Sequence, residues 1–438
     1  MGSTGREFLS RPKDASASGG YWNFIPKGTI LLLFYLLFAA LLIARRPDCI
    51  SNPQFWAEEG KLFFTDAQQR PAWVNLASYS LGYFFLVIRL ISQVAALVPL
   101  QYSPLVFVLA ALAIQAAVPT FIISSRCANW MGPFPIRLAA ALLYCAMPNS
   151  SEVHCIALNC RVHLVVLASL IIISPGPFSR WGEVLDGAIL ILTGLSGPYV
   201  LLLAPLAAWR HREVRTSATR RNYLILLVTF GFAAFAAIAS TGQRHPTTEL
   251  GASFGEGIRI LGGRLPIMLL LGEKSYSILL RQEWFDAAAV VAFGFLGFLV
   301  IVILCRGRSE LRYLLVMGFG SLAMGLLSSP IGIHDIAAWR AFWTVVECGQ
   351  RYFFLPMAML LFSLASLAGG GKGIWERRLA IALLILMATI GARVDWRVPA
   401  FVDFHFRDYV EVYQALPAGS SLEVPINPRG WHLELRRK

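Results

Sequence analysis

The run "ILLLFYLLFAALLIA", Ile30 to Ala44, ends in "RRPD" and is the first of several apolar stretches near the length needed to cross a bilayer. Of 438 residues, 57% are hydrophobic and 14% charged, with a mean hydropathy of +0.62, a balance that excludes an ordinary soluble domain. The chain therefore reads as an all-α polytopic membrane protein. No small-residue cleavage pattern follows the run, so it is expected to remain as an uncleaved first helix behind a polar tail at 1–26. Arg6 stands where the myristoylation pattern after Met1-Gly2 needs Ser or Thr, so that anchor is not expected.

The net charge of +13 sits in short clusters between apolar segments, such as "RHREVRTSATRR" (Arg210 to Arg221) and "RGRSELR" (Arg306 to Arg312). Such clusters mark cytoplasmic loops and not a nucleic-acid surface. Seven scattered cysteines imply no disulfide framework. "HCIALNCRVH", His154 to His163, has the look of a metal cluster, yet on a helix only Cys160 and His163 share a face, and the stretch reads as a polar loop running into a helix.

Two segments resist treatment as simple crossings. Ala77 to Leu100 carries Arg89 near its middle, and an arginine at the bilayer centre costs at least ~2.5 kcal/mol, so this segment is expected at the interface or only partly inserted. Ala188 to Trp209 is interrupted by "GLSGP", Gly194 to Pro198, which predicts two half-length helices in a hairpin with an outward tip. With both adjustments Arg126, Arg137, Arg180 and the Arg210 cluster fall on the cytoplasmic side. About eleven membrane segments result, the later ones near Tyr223 to Ser240, Ala287 to Leu304, Leu314 to Ser329, Phe353 to Leu367 and Leu379 to Ile390. The N-terminus is then inside and the C-terminus outside. A membrane domain over 27–394 carries outer loops 46–78, 148–160, 241–286 and 330–351, followed by an outer tail at 395–438 whose turn signals suggest a small β-like cap.

The outer loops hold most of the polar residues that membrane insertion does not explain. "FWAEEGKLFF" places Glu58 and Glu59 side by side, with Phe63 one helical turn on; Glu152 and His154 lie in the turn "PNSSEVH"; the broken hairpin ends in "WRHR". In this order these features resemble the GT-C glycosyltransferases, integral membrane enzymes that take a sugar from a polyprenyl-phosphate carrier, and among them the aminoarabinose-transferase and mannosyltransferase-like branch. That branch carries an Asp-Glu pair in its first outer loop, which Glu58-Glu59 would match, with a second acidic site that would fall at Glu152 and His154. The resemblance covers roughly the first half of the chain. Glu replaces the usual Asp, one methylene longer, and leaves open which of Glu58 and Glu59 stands in the catalytic position. It implies a bacterial inner-membrane enzyme with a lipid-linked sugar donor and a glycan or lipid acceptor.

The chemistry accounts for such residues independently. An acceptor hydroxyl attacking an anomeric carbon needs a carboxylate as general base, and a leaving phosphate needs cationic donors. Arg244 and His245 in "TGQRHP", Arg340, and Arg351 with Tyr352 in "GQRYFFLP" are the outer-face candidates, with Arg351 favoured because it opens a membrane helix at headgroup depth. A carboxylate pair with His154 is also compatible with Mg²⁺ or Mn²⁺, although these spacings do not establish a site. The structural alternatives are ordinary surface pairs (Glu58 with Lys61, Asp66 with Arg70), solvated turn residues, and a snorkelling anchor at Arg351. The functional alternatives are a transporter or flippase of a lipid-linked saccharide, in which Arg89 lines a pathway, and an O-antigen polymerase or ligase, which would not need the acidic pair.

Overall fold

The structure, a computed structural model, describes residues 28–80, 82–240, 249–328, 336–347 and 349–437. It is mostly helical. The helices that frame the bundle are α1 (Gly28–Arg45), α2 (Leu86–Ala95), α3 (Ser103–Ile123), α4 (Phe134–Cys145), α5 (Cys160–Ile173), α6 (Arg180–Gly194), α7 (Val200–Glu213), α8 (Ser217–Ala239), α9 (Phe285–Arg306), α10 (Glu310–Ser328), α11 (Gln350–Gly370) and α12 (Ile374–Leu386). Among the described residues six helices are long and apolar enough to cross a membrane: α1, α3 with the turn before it, and α8 to α11. The expected later spans coincide with α8 to α12 to within a few residues at most ends.

The "GLSGP" break is present, and each glycine has its own reason. A Cβ at Gly194 would collide with the Thr229 side chain, so a side chain there would push α6 off α8. Gly197 adopts φ +133°, open to glycine and unfavourable for other residues. α6 and α7, of 15 and 14 residues, flank the break.

Two features depart from a plain row of crossings. First, Arg89 lies on the ten-residue α2, too short to cross a bilayer by itself, and is buried there, paired with Asp66 at 3.2 Å, hydrogen-bonded to Asn75, and set over the Phe63 ring. The cost of burying the guanidinium is met by a carboxylate brought from the preceding loop. Asp66 also holds Arg70 at 3.1 Å, the surface pair foreseen in the sequence. Second, the stretch read as loop 241–286 is largely helical: residues 254–271 form a continuous helical run, π-helical over Arg259–Ile267, with Gly262 packed directly on the backbone of α9 at Ala289. Four glycines, two arginines and a proline hid this helix from an apolarity criterion.

The two ends of the bundle differ in character. At one end Arg126 makes a two-pronged bond to Asp186 at 2.8 Å, while Arg210 reaches Glu310 at 3.5 Å and Arg306 reaches Glu376 at 3.5 Å. At the other, where α1 finishes, Arg45 donates to carbonyls of Cys145, Met147, Asp395 and Trp396, tying the 148–160 turn and the tail to α1.

The tail forms the expected cap. Strands β1 (Ser421–Ile426) and β2 (Trp431–Arg436) pair antiparallel, with Val424 opposite Leu433. Their inward residues Val424, Ile426, Leu433 and Leu435 bury against Phe55, Phe63, Phe64 and Phe406. The cap therefore packs on the segment that carries Glu58 and Glu59.

Candidate active site

Glu58 and Glu59 follow a bend that the tail holds. Asn427 accepts from Ala57 N–H and donates its own N–H to the Phe55 carbonyl at 3.2 Å, and Trp56 stacks on Phe401 at 5.0 Å. Ala57 takes φ +42°, a left-handed conformation that costs a residue with a Cβ roughly 1–2 kcal/mol and needs such a clamp. A π-helical turn then opens at Glu59, and the two carboxylates separate.

Glu59 turns inward and is buried. Its Oε1 accepts from Leu158 N–H at 2.8 Å and its Oε2 from Trp56 N–H at 3.3 Å, joining the first loop to the 148–160 turn. Burial pushes its carboxyl up to about 8, against the pull of these donors. The folded chain thus holds a proton that the unfolded chain gives up near 4.5, so this group's contribution to stability declines as pH rises from about 4.5 through about 8. The thermal midpoint should fall across that window, and Glu59→Gln should flatten the slope.

Glu58 is half-buried and, among the described residues, makes no hydrogen bond or ion pair. Lys61, its partner in the surface-pair alternative, lies instead over the Trp431 ring at 5.3 Å. Glu58 is close enough for its charge to act on the Arg351 guanidinium.

Arg351 opens α11. Its backbone N–H donates to Glu152 Oε2 at 3.1 Å and its guanidinium to Glu152 Oε1. Both side chains keep some exposure, 29% for Arg351 and 14% for Glu152. Gln350 fixes the pair from behind: its Oε1 accepts from Glu152 N–H at 3.0 Å and Ser151 Oγ at 2.7 Å, while its Nε2 donates to Glu273 at 2.9 Å. Tyr352 follows, its ring under the Arg351 guanidinium at 5.0 Å.

Two further residues complete the group. Tyr199, at the tip of the broken hairpin, is within electrostatic reach of Arg161, Tyr352, Arg351 and Glu152. Arg161, in the first turn of α5, runs past Gly197, where a Cβ would lie 3.8 Å from its side chain, and lies over the Phe85 ring at 5.4 Å. Its Nε is buried without a hydrogen-bond partner, and no carboxylate pairs with it among the described residues. A half-buried guanidinium is costly without a counter-ion, so an anion from outside the chain suits this position.

The remaining expectations fare differently. His154 is not beside Glu152 in the site: it is buried in the bundle, with Nε2 on the Leu42 carbonyl at 3.0 Å and Nδ1 on Gln115 at 3.2 Å, and burial beside Arg45 and Arg46 keeps it neutral. Alternate residues of a tight turn face opposite ways, which sequence adjacency concealed. Arg340 is exposed on the short helix Ala338–Thr344 and makes no hydrogen bond or ion pair to the Glu152–Arg351 pair. Arg244 and His245 lie outside the described residues. Cys160 and His163 diverge, His163 bonding Tyr144 at 2.6 Å. Among the described residues no group of three or more His, Cys, Asp or Glu side chains is arranged to hold a metal ion.

Arg161, Tyr199 and Gln350 were missed from sequence. The signal for Arg161 was the one that singled out Arg351: an arginine opening an apolar helix. The chain matches no protein-family model, and no curated protein is recognisably similar to it.

Proposed function

We propose that the chain is an inverting glycosyltransferase of a bacterial inner membrane, moving a sugar from a polyprenyl-phosphate carrier to a cell-envelope glycan or lipid at the outer face. The architecture in this reading is a GT-C-like bundle of about eleven membrane segments, with the N-terminus inside and the C-terminus outside. The observation that carries it is a carboxylate without a hydrogen-bond or ion-pair partner, Glu58, within electrostatic reach of the Glu152–Arg351 pair, together with an arginine, Arg161, that has no anionic partner within the described chain. The six membrane-length helices and the apolar surface around them supply the setting for a lipid-borne donor.

In this reading Glu58 accepts the proton of the acceptor hydroxyl as its oxygen bonds to the anomeric carbon. The bond from that carbon to the carrier phosphate oxygen breaks, and its electron pair stays on the phosphate, where Arg161 and Arg351 balance the charge. A phosphate ester leaves without protonation, so one base suffices. Glu152 holds Arg351 in place, and Tyr199 and Tyr352 supply ring faces and hydroxyls for the sugar.

A transporter of the same lipid-linked saccharide is the competing reading, since broken helices occur there too. Purified protein in vesicles, offered a panel of polyprenyl-phosphate sugars, separates the two. Transfer releases free polyprenyl phosphate; transport moves the donor across the bilayer intact. Release of carrier from at least one donor, abolished in Glu58→Gln, is expected, and intact translocation alone sinks the proposal.

A further inference from the structure

The bundle end remote from Glu58 carries a basic cavity. α7 starts beside the hairpin tip and runs 14 residues, roughly 20 Å at 1.5 Å per residue, before the chain turns into α8. At that turn a cavity of about 600 Å³ opens, lined by His211, Arg215, Arg220, Arg221, Leu224 and Ile225, with no carboxylate in its wall.

Its cations are not all accounted for by the protein. Arg221 is shared between Glu183 at 3.6 Å and Asp186 at 3.7 Å, and Asp186 is already bound by Arg126. Arg215 and Arg220 are exposed and have no ionic partner among the described residues. His211 is held in place, Nδ1 to Thr219 Oγ1 at 3.1 Å, its ring parallel to Tyr223.

What sets the cavity apart from a plain basic turn is its other wall. Leu224 is exposed, and the exposed apolar face continues up α8 through Leu227, Val228, Phe232 and Phe235. α8 is one of the six helices long and apolar enough to cross a membrane, so this face meets acyl chains. The basic cavity is thus at the depth where a lipid lying along α8 would present its phosphate.

We infer that this cavity binds the headgroup phosphate of an anionic glycerophospholipid, with the acyl chains along the Leu224–Phe235 face of α8. The arginines pair with the phosphate, and the apolar stripe selects a lipid over a soluble anion. The inference does not depend on the chemistry at Glu58.

Native mass spectrometry of the full chain, released from phosphatidylglycerol–phosphatidylcholine vesicles or from phosphatidylcholine alone, tests it. The wild type should retain phosphatidylglycerol in preference to phosphatidylcholine. Arg215→Ala/Arg220→Ala, at positions without protein partners, should weaken retention by roughly tenfold to thirtyfold, at an unchanged unfolding midpoint in phosphatidylcholine. Leu224→Gln should weaken lipid retention while leaving any binding of inorganic phosphate unaltered. Equal retention of the two lipids, or full retention by the double arginine variant, overturns the site. Displacement of phosphatidylglycerol by millimolar inorganic phosphate, with no effect of Leu224→Gln, assigns the cavity to a soluble anion and overturns the lipid inference.

Discussion

Glu58→Gln is expected to lower the turnover of sugar transfer by ~100-fold or more while leaving protein level and donor affinity near wild type, the pattern for loss of a general base. The charge is removed and the shape kept, and since the Glu58 side chain makes no hydrogen bond or ion pair among the described residues, none is broken. Glu59→Gln should do the opposite. Its carboxyl group, protonated or ionised, offers one oxygen to each of two backbone N–H groups, whereas an amide oriented in the same plane presents only one acceptor, leaving one buried donor unmet at a cost of about 1–3 kcal/mol. The thermal midpoint should drop and activity per folded molecule should change little. Kinetics and unfolding measured on both variants separate the roles; a large kinetic loss at Glu59 with none at Glu58 would reverse the assignment.

Arg161→Ala should cost ~100-fold or more in kcat/KM for the donor, the scale for removing one donor from a developing oxyanion, with little loss of stability. The second half of that expectation is the discriminating one. A guanidinium engaged in a protein ion pair destabilises the fold when it is cut away; Arg161 has only the Phe85 face and the edge of Gly197 to lose. Arg161→Lys should recover part of the activity because it keeps the charge and loses the planar fork. Arg351→Ala is less informative, because it also strips Glu152 of its partner. Unchanged donor kinetics in Arg161→Ala would show that the arginine only fills the gap between Phe85 and the hairpin tip.

The membrane-length helices, the break at "GLSGP" and the β cap were legible because each rests on a local signal: apolar length, a Gly/Pro cluster, turn residues around alternating strands. Arg89 was legible only as an anomaly, since its resolution is Asp66, a carboxylate on another element. The choice between Glu58 and Glu59 was hidden for a related reason. Adjacent side chains on a helix diverge by about 100°, but which one faces inward depends on the entry angle of the chain. That angle is set by Ala57 and by Asn427, which arrives from the far C-terminal tail. His154 illustrates the converse: proximity to Glu152 in sequence carried it into the candidate site, and the turn sends it to Leu42 and Gln115 in the core. The 254–271 helical run escaped notice because glycines, arginines and a proline interrupt its apolar pattern, while Gly262 packs closely on the backbone at Ala289.

The most direct test of the transfer chemistry is the anomeric configuration of the product, read by NMR from a polyprenyl-phosphate donor of known configuration. A single base at Glu58 and a phosphate leaving toward Arg161 and Arg351 predict one displacement and an inverted glycosidic linkage, formed as free polyprenyl phosphate accumulates. A product with retained configuration, or sugar that stays on its carrier under every acceptor offered, would contradict it.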